Sequence, residues 1–256
     1  MVGDAKAYGY EDIVASVAAL VAAQTQKLAR SVGWDTAAMG GAFPRRMLRT
    51  RLAARIDQGR AWLDRQALVN LCAATELLHL ASLCHDTISN SISVLMGDLL
   101  LVDSTDMVIA TRGGQHVKSF LDKAKEVLET DIQHLAHQPG RAIDLPTAER
   151  LAWGKSGPLF AFTAGLGGAG EGPLAGALAQ AGYRVGAACQ LGDDLGALPD
   201  AGAARERIAA LCDEALAGLT PWPAVRAELA GFLLHDFRPP RAFHLARRGA
   251  PIEAAP

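Results

Sequence analysis

Apolar residues recur at three- and four-residue intervals along most of this chain, and no stretch alternates apolar and polar positions as a half-buried strand does. The pattern predicts helices over about residues 10–31, 45–57, 61–101 with a break near Ser89–Ser91, 114–137, 146–154, 155–166, 173–198, 201–219 and 222–236. Gly40–Gly41 and the runs HQPGRAID, GLGGAGEGP and GALPDAG supply the breaks. Pro146 and Pro173 stand in first helical turns, where the missing N–H costs nothing. The connections are short, so residues 1–237 are expected to form one helical domain. The segment 238–256, RPPRAFHLARRGAPIEAAP, has no apolar period and is expected to be an unpacked tail.

Composition narrows the picture. With 256 residues, half of them apolar and 20% charged, the chain can bury a full all-α core. A net charge of −2 offers no general attraction for nucleic acid. Arg45, Arg46, Arg49, Arg51, Arg55, Arg60 and Arg65 nevertheless crowd one segment, which points either to a local anionic partner or to a solvated face. Cys72, Cys84, Cys189 and Cys212 form no C-x-x-C pair and sit in apolar helical contexts, as buried free thiols do. The N-terminus lacks a signal pattern and Ile13–Ala23 is too short to cross a bilayer, so a cytoplasmic protein without a transmembrane segment is expected.

Two helical runs carry the candidate chemistry. The apolar stretch Glu76–Leu101 contains Asp86, and Gly186–Leu195 places Gln190, Asp193 and Asp194 within one turn. Facing each other, such helices would direct acids into a shared cavity. A different chemistry is raised by Glu76-x-x-His79 and Asp131-x-x-His134, because carboxylate-x-x-histidine pairs on two helices can ligate a di-iron centre. That centre needs further carboxylates for which the sequence offers no clear position.

Taken in order, these segments resemble the trans-type polyprenyl diphosphate synthases over about residues 30–236. GGAFPRRML at Gly40–Leu48 is similar to the family's GGKxxRP element, ELLHLASLCHD at Glu76–Asp86 to the helix entering the first aspartate-rich motif, and VLMGDLLL at Val94–Leu101 to the helix after it. KSGPLFAF at Lys155–Phe162 is similar to the K-T-x-x-L-F element and QLGDDL at Gln190–Leu195 to the second aspartate-rich motif. The resemblance implies an orthogonal bundle of the isoprenoid synthase type with a central cavity. It also implies magnesium held by Asp86, Asp193 and Asp194, and diphosphate contacts from Arg45, Arg46, Lys155 and Gln190. Ala81 and Ser82, one turn before Asp86, fall where short-chain members of the family place aromatic stoppers, so a prenyl tail is expected to run deep beside them.

The departures are informative as well. Where the family has DDxxD, this chain reads Asp86, Thr87, Ile88, Ser89, Asn90, and the fifth position of the second motif is Ala197. Ala42 replaces the GGK lysine, and the loops bearing Arg-Arg-Gly and a later lysine are missing. Ionising an allylic diphosphate requires its charge to be neutralised, at tenfold in rate per ~1.4 kcal/mol. These losses imply poor chain elongation by this chain alone. The expected function is an accessory subunit or isoprenoid-diphosphate binder, as a homodimer or beside a canonical synthase; the alternative is a magnesium-dependent prenyltransferase with a reduced metal site and unusual substrate. No C-x-x-x-C element of the kind carried by plant small subunits occurs.

Overall fold

A computed structural model describes residues 9–32, 47–58, 60, 62–86, 91–111, 114, 116–135, 143–168 and 172–239, apart from the side chains of Asp86 and Leu135. The described residues form helices joined by short turns, with no strand among them: α1 (Tyr10–Val32), α2 (Leu48–Asp57), α3 (Arg65–Asp86), α4 (Ser91–Ile109), α5 (Val117–Leu135), α6 (Leu145–Lys155), α7 (Gly157–Leu166), α8 (Gly172–Asp193), α9 (Ala201–Gly218) and α10 (Pro223–Phe232). A π-helical turn, Leu233–Phe237, continues α10.

Helix α7 is short and almost wholly apolar, and this composition puts it at the centre. It packs on α2, α3, α5, α6 and α8. One apolar cluster lies on its α3 side, with Leu77, Ala81, Met96, Leu100, Phe120 and Phe162. A second lies towards α8, α9 and α10 and includes Phe160, Leu178, Val185, Leu211 and Phe232. Helix α3 is long and apolar enough to cross a membrane by length and composition, but 78% of its most apolar stretch is buried inside the bundle, so it is a core helix. All four cysteines are buried thiols outside any disulfide; burial pushes the Cys84 thiol up to about 11 and the Cys212 thiol up to about 12.

Local signals account for most boundaries. Asp144 caps α6 by accepting the Thr147 amide at 3.0 Å, and Asp200 caps α9 by accepting that of Ala203 at 2.9 Å. Two boundaries differ most from the sequence expectation. Helix α4 continues to Ile109, because the polar run Asp103–Asp106 does not break it: Ser104 and Thr105 return their hydroxyls to the Leu101 carbonyl, and Ser104 is buried. Helix α8 stops at Asp193 rather than near residue 198, and the chain turns through Asp194–Ala197 with Gly196 and Pro199 at hand.

The two ends of the described chain meet on α2. Asp236 accepts the Tyr10 hydroxyl at 2.7 Å and Arg55 Nε at 2.7 Å, while Arg51 donates to Tyr10 at 2.9 Å. The wider π turn, with one more residue per hydrogen-bonded ring than an α turn, sets Asp236 in this cluster. The segment 240–256, most of the expected tail, lies outside the described residues.

Candidate functional site

Close helix approach builds the site. A Cβ on Gly186 would lie 2.6 Å from the Ser156 carbonyl oxygen and 2.8 Å from Gly157 Cα, so glycine lets α8 press on the α6–α7 joint. Ser156 then donates to Gln190 Oε1 at 2.7 Å, and Gln190 Nε2 donates to Asp194 Oδ2 at 3.0 Å. The KSGPLF and QLGDDL segments are thereby joined by one hydrogen-bonded chain, Ser156–Gln190–Asp194. Asp194 is half-buried and held, whereas Asp193 ends α8 with its side chain exposed.

A second glycine contact fixes the neighbouring residue. Gly154 packs its backbone against the Thr130 side chain, leaving no room for a Cβ and drawing α6 onto α5. Lys155 Nζ consequently sits 3.6 Å from Asp131 Oδ1, with 12% and 5% of the two side chains exposed. Ser82, from α3, donates to the other carboxylate oxygen of Asp131 at 2.8 Å. Ser82, Asp131 and Lys155 thus form a three-helix polar cluster directly beside Ser156. Ala81 is buried in the apolar cluster next to it.

The arginine segment resolves differently. Arg49 points into the core, donating to Glu76 Oε2 from Nε at 3.1 Å and Nη2 at 2.6 Å, with its guanidinium 5.7 Å from the Phe160 ring centroid. Glu76 Oε1 accepts the Thr50 amide and hydroxyl at 3.3 and 3.0 Å. The N-terminus of α2 has no side-chain cap of its own, so Glu76 from α3 takes that role. Arg51 and Arg55 are engaged by Asp236, and Arg60 lies over Trp62. Arg45 and Arg46, the expected diphosphate contacts, lie outside the described residues, as do Thr87–Asn90 and the Asp86 side chain.

The di-iron alternative does not assemble. Glu76 is committed to Arg49 and Thr50, Asp131 to Ser82 and Lys155, and His134 is exposed. Desolvation, aided by the Arg49 and Lys155 cations, pushes the half-buried His79 well below its ordinary value, which suits a neutral imidazole. His85 turns towards α4, where its ring covers Gly97 and Nε2 lies 3.2 Å from Asp98 Oδ1. Among the described residues no three His, Cys, Asp or Glu side chains gather to hold a metal ion. Asp193 and Asp194 are adjacent carboxylates at the end of α8, a donor set of the number magnesium takes when it keeps several waters and shares substrate oxygens.

The sequence pattern singles out Ser82, Lys155, Gln190 and Asp194 but not the residues that connect them. Ser156 was visible only as a neighbour of Lys155. Asp131 is conspicuous in the sequence for its spacing to His134, not for Ser82 and Lys155, which two other helices bring to it.

No protein-family model matches the sequence, and no curated protein matches it. Solved structures do match. The chain superimposes on a polyprenyl synthase from Caulobacter crescentus CB15, complexed with calcium and isoprenyl diphosphate, with a TM-score of 0.72 at 20% identity over 90% of this chain and 96% of that one. An FPP/GFPP synthase from Zymomonas mobilis gives 0.66 at 20% identity over 88% and 96%. A decaprenyl diphosphate synthase from Rhodobacter capsulatus gives 0.66 at 18% identity over 90% and 97%. At these identities the likeness establishes architecture: the chain has the all-α isoprenoid synthase fold.

Proposed function

We propose that this chain is a divergent member of the trans-type polyprenyl diphosphate synthase family that binds isoprenoid diphosphates, elongates them poorly alone, and works as an accessory subunit. The observation that carries this reading is the chain Ser156–Gln190–Asp194 beside Lys155, which unites two separate segments of the resemblance at one helix joint. The isoprenyl diphosphate bound in the Caulobacter structure supports this ligand class. Lys155 supplies a cation for the diphosphate and Gln190 orients Asp194; Asp193 and Asp194 would hold magnesium, with Asp86 as the third expected ligand. Magnesium would neutralise phosphate charge. Arg45 and Arg46 are proposed as further diphosphate contacts. Poor elongation follows from the reduced carboxylate and cation set, to which Arg49 adds nothing because Glu76 holds it in the core.

The prenyl tail is proposed to run beside Ala81. Phenylalanine at Ala81 should weaken long allylic diphosphates more than short ones; the same change at Ser82 would also break the bond to Asp131 and is less clean. A partner subunit is supported by α4, where Ile92, Leu95, Leu99, Val102 and Ile109 recur at helical spacing with 36–59% exposure. This stripe suits a second copy or a canonical synthase subunit.

The deciding experiment incubates pure protein with magnesium and allylic diphosphates of several lengths, with and without isopentenyl diphosphate, and follows binding, products and pyrophosphate. The expected result is magnesium-dependent binding with little elongation, rising when a canonical synthase is added. Turnover near ~10 per second by the chain alone would instead establish the prenyltransferase alternative, and no binding of any diphosphate would remove both.

A further inference from the structure

Lys155 already has a carboxylate beside it. Its ammonium lies 3.6 Å from Asp131 Oδ1, beyond hydrogen-bond length, so the pair attracts without the tight geometry of a bonded bridge. Ser82 fixes the other oxygen of Asp131 at 2.8 Å, which orients the carboxylate without using the face turned to Lys155. Asp131 is nearly inaccessible to water, so its charge is weakly screened, and the long flexible stem of lysine allows the ammonium to exchange partners. Resting on the proposed diphosphate site, we infer that Asp131, positioned by Ser82, is an internal counter-ion that an incoming diphosphate must displace from Lys155.

Asp131 then sets the anion affinity of the site without touching the ligand. It is a positioning residue, and it acts only through Lys155. The counter-ion keeps Lys155 compensated in a poorly hydrated place when no ligand is bound, and it reduces the gain when an anion arrives. The same residue thus separates affinity from simple possession of a lysine. An unrelated anion without magnesium would have to overcome this pairing, whereas a diphosphate that also engages Asp194 through magnesium has a second source of binding energy.

The probe is inorganic pyrophosphate, measured by calorimetry with the full chain carrying Asp131→Asn, Lys155→Met, or both. Asp131→Asn should bind pyrophosphate roughly tenfold more tightly than the unaltered protein, the scale of one close charge pair partly screened. In the Lys155→Met background the same change should have no effect, an outcome that general loosening of the fold does not produce. Asp131→Ser, which leaves room for water beside Lys155, serves if the amide variant does not fold. Equal or weaker pyrophosphate binding by a cooperatively folded Asp131 variant would overturn the inference, as would an equal gain in the Lys155→Met background or no pyrophosphate binding by any form. Equal affinity for pyrophosphate and for a long allylic diphosphate would sink the isoprenoid reading alone and leave the role of Asp131 standing.

Discussion

Replacing Glu76 by glutamine tests whether the ion pair on α2 is structural. The unaltered carboxylate is fully buried and accepts from Arg49 twice and from Thr50 twice. Glutamine preserves the volume but removes the charge, and its NH2 must face either the guanidinium or the Thr50 donors. Breaking a buried pair from one side costs about 3–5 kcal/mol, because the remaining charge is uncompensated. For a chain of this size each kcal/mol shifts the melting temperature by about 2–4 °C, so Glu76→Gln should melt about 6–20 °C lower. Joining Glu76→Leu with Arg49→Met removes both charges, a change that is often neutral or better. That double variant still leaves the Thr50 amide without its cap, at about 1 kcal/mol, and should melt close to the unaltered protein. Thermal and urea unfolding of the single and double variants measure the difference. A Glu76→Gln loss under about 1 kcal/mol, or a double variant no more stable than the single one, would refute the reasoning. Loss of pyrophosphate binding in a stable double variant would show instead that Arg49 belongs to the ligand site.

Three further outcomes are expected. Gly186→Ala should cost about 1–3 kcal/mol by overpacking the α6–α7 joint, and it should weaken magnesium-diphosphate binding by parting Ser156 from Gln190; unchanged stability and affinity would show that the joint yields freely. Asp236→Asn should destabilise the protein most above pH 4. Burial pushes the Asp236 carboxyl up, but the Arg55 and Tyr10 hydrogen bonds outweigh it and leave it below its ordinary value, so its contribution is present above that value and is lost as pH falls through the folded one; equal destabilisation by this change at pH 3 and pH 7 would contradict this. His79 is held neutral by burial near Arg49 and Lys155, so stability should fall below its ordinary value of 6.5 as the unfolded chain takes up the proton. The slope from this group is at most about 1.4 kcal/mol per pH unit, and His79→Gln should remove it between pH 6.5 and 5; an unchanged slope in urea titrations would assign it elsewhere.

The helical class, the order of the elements and several residues of the candidate site are legible in the chain because they rest on local information. Apolar spacing sets helices, and Pro146, Asp144 and Pro199 mark ends by their own backbone chemistry. Lys155, Gln190 and Asp194 stood out as polar residues on small or apolar helices. The arginine segment shows where local information stops: six positions separate Arg49 from Arg55, yet one is sealed in the core by Glu76 and the other joins Asp236 at the far end of the described chain. Only tertiary structure made that division, since the partners come from α3 and from the turn after α10. The Asp131–Lys155 pairing is of the same kind. Nothing in the spacing of two residues on different helices fixes a contact; it exists because Gly154 lets α6 settle on α5, while α3 supplies Ser82 from another direction. Sequence chose which side chains carry charge, and packing of the helices decided which of them meet, Arg49 with Glu76 in the core and Lys155 with Asp131 between α5 and α6.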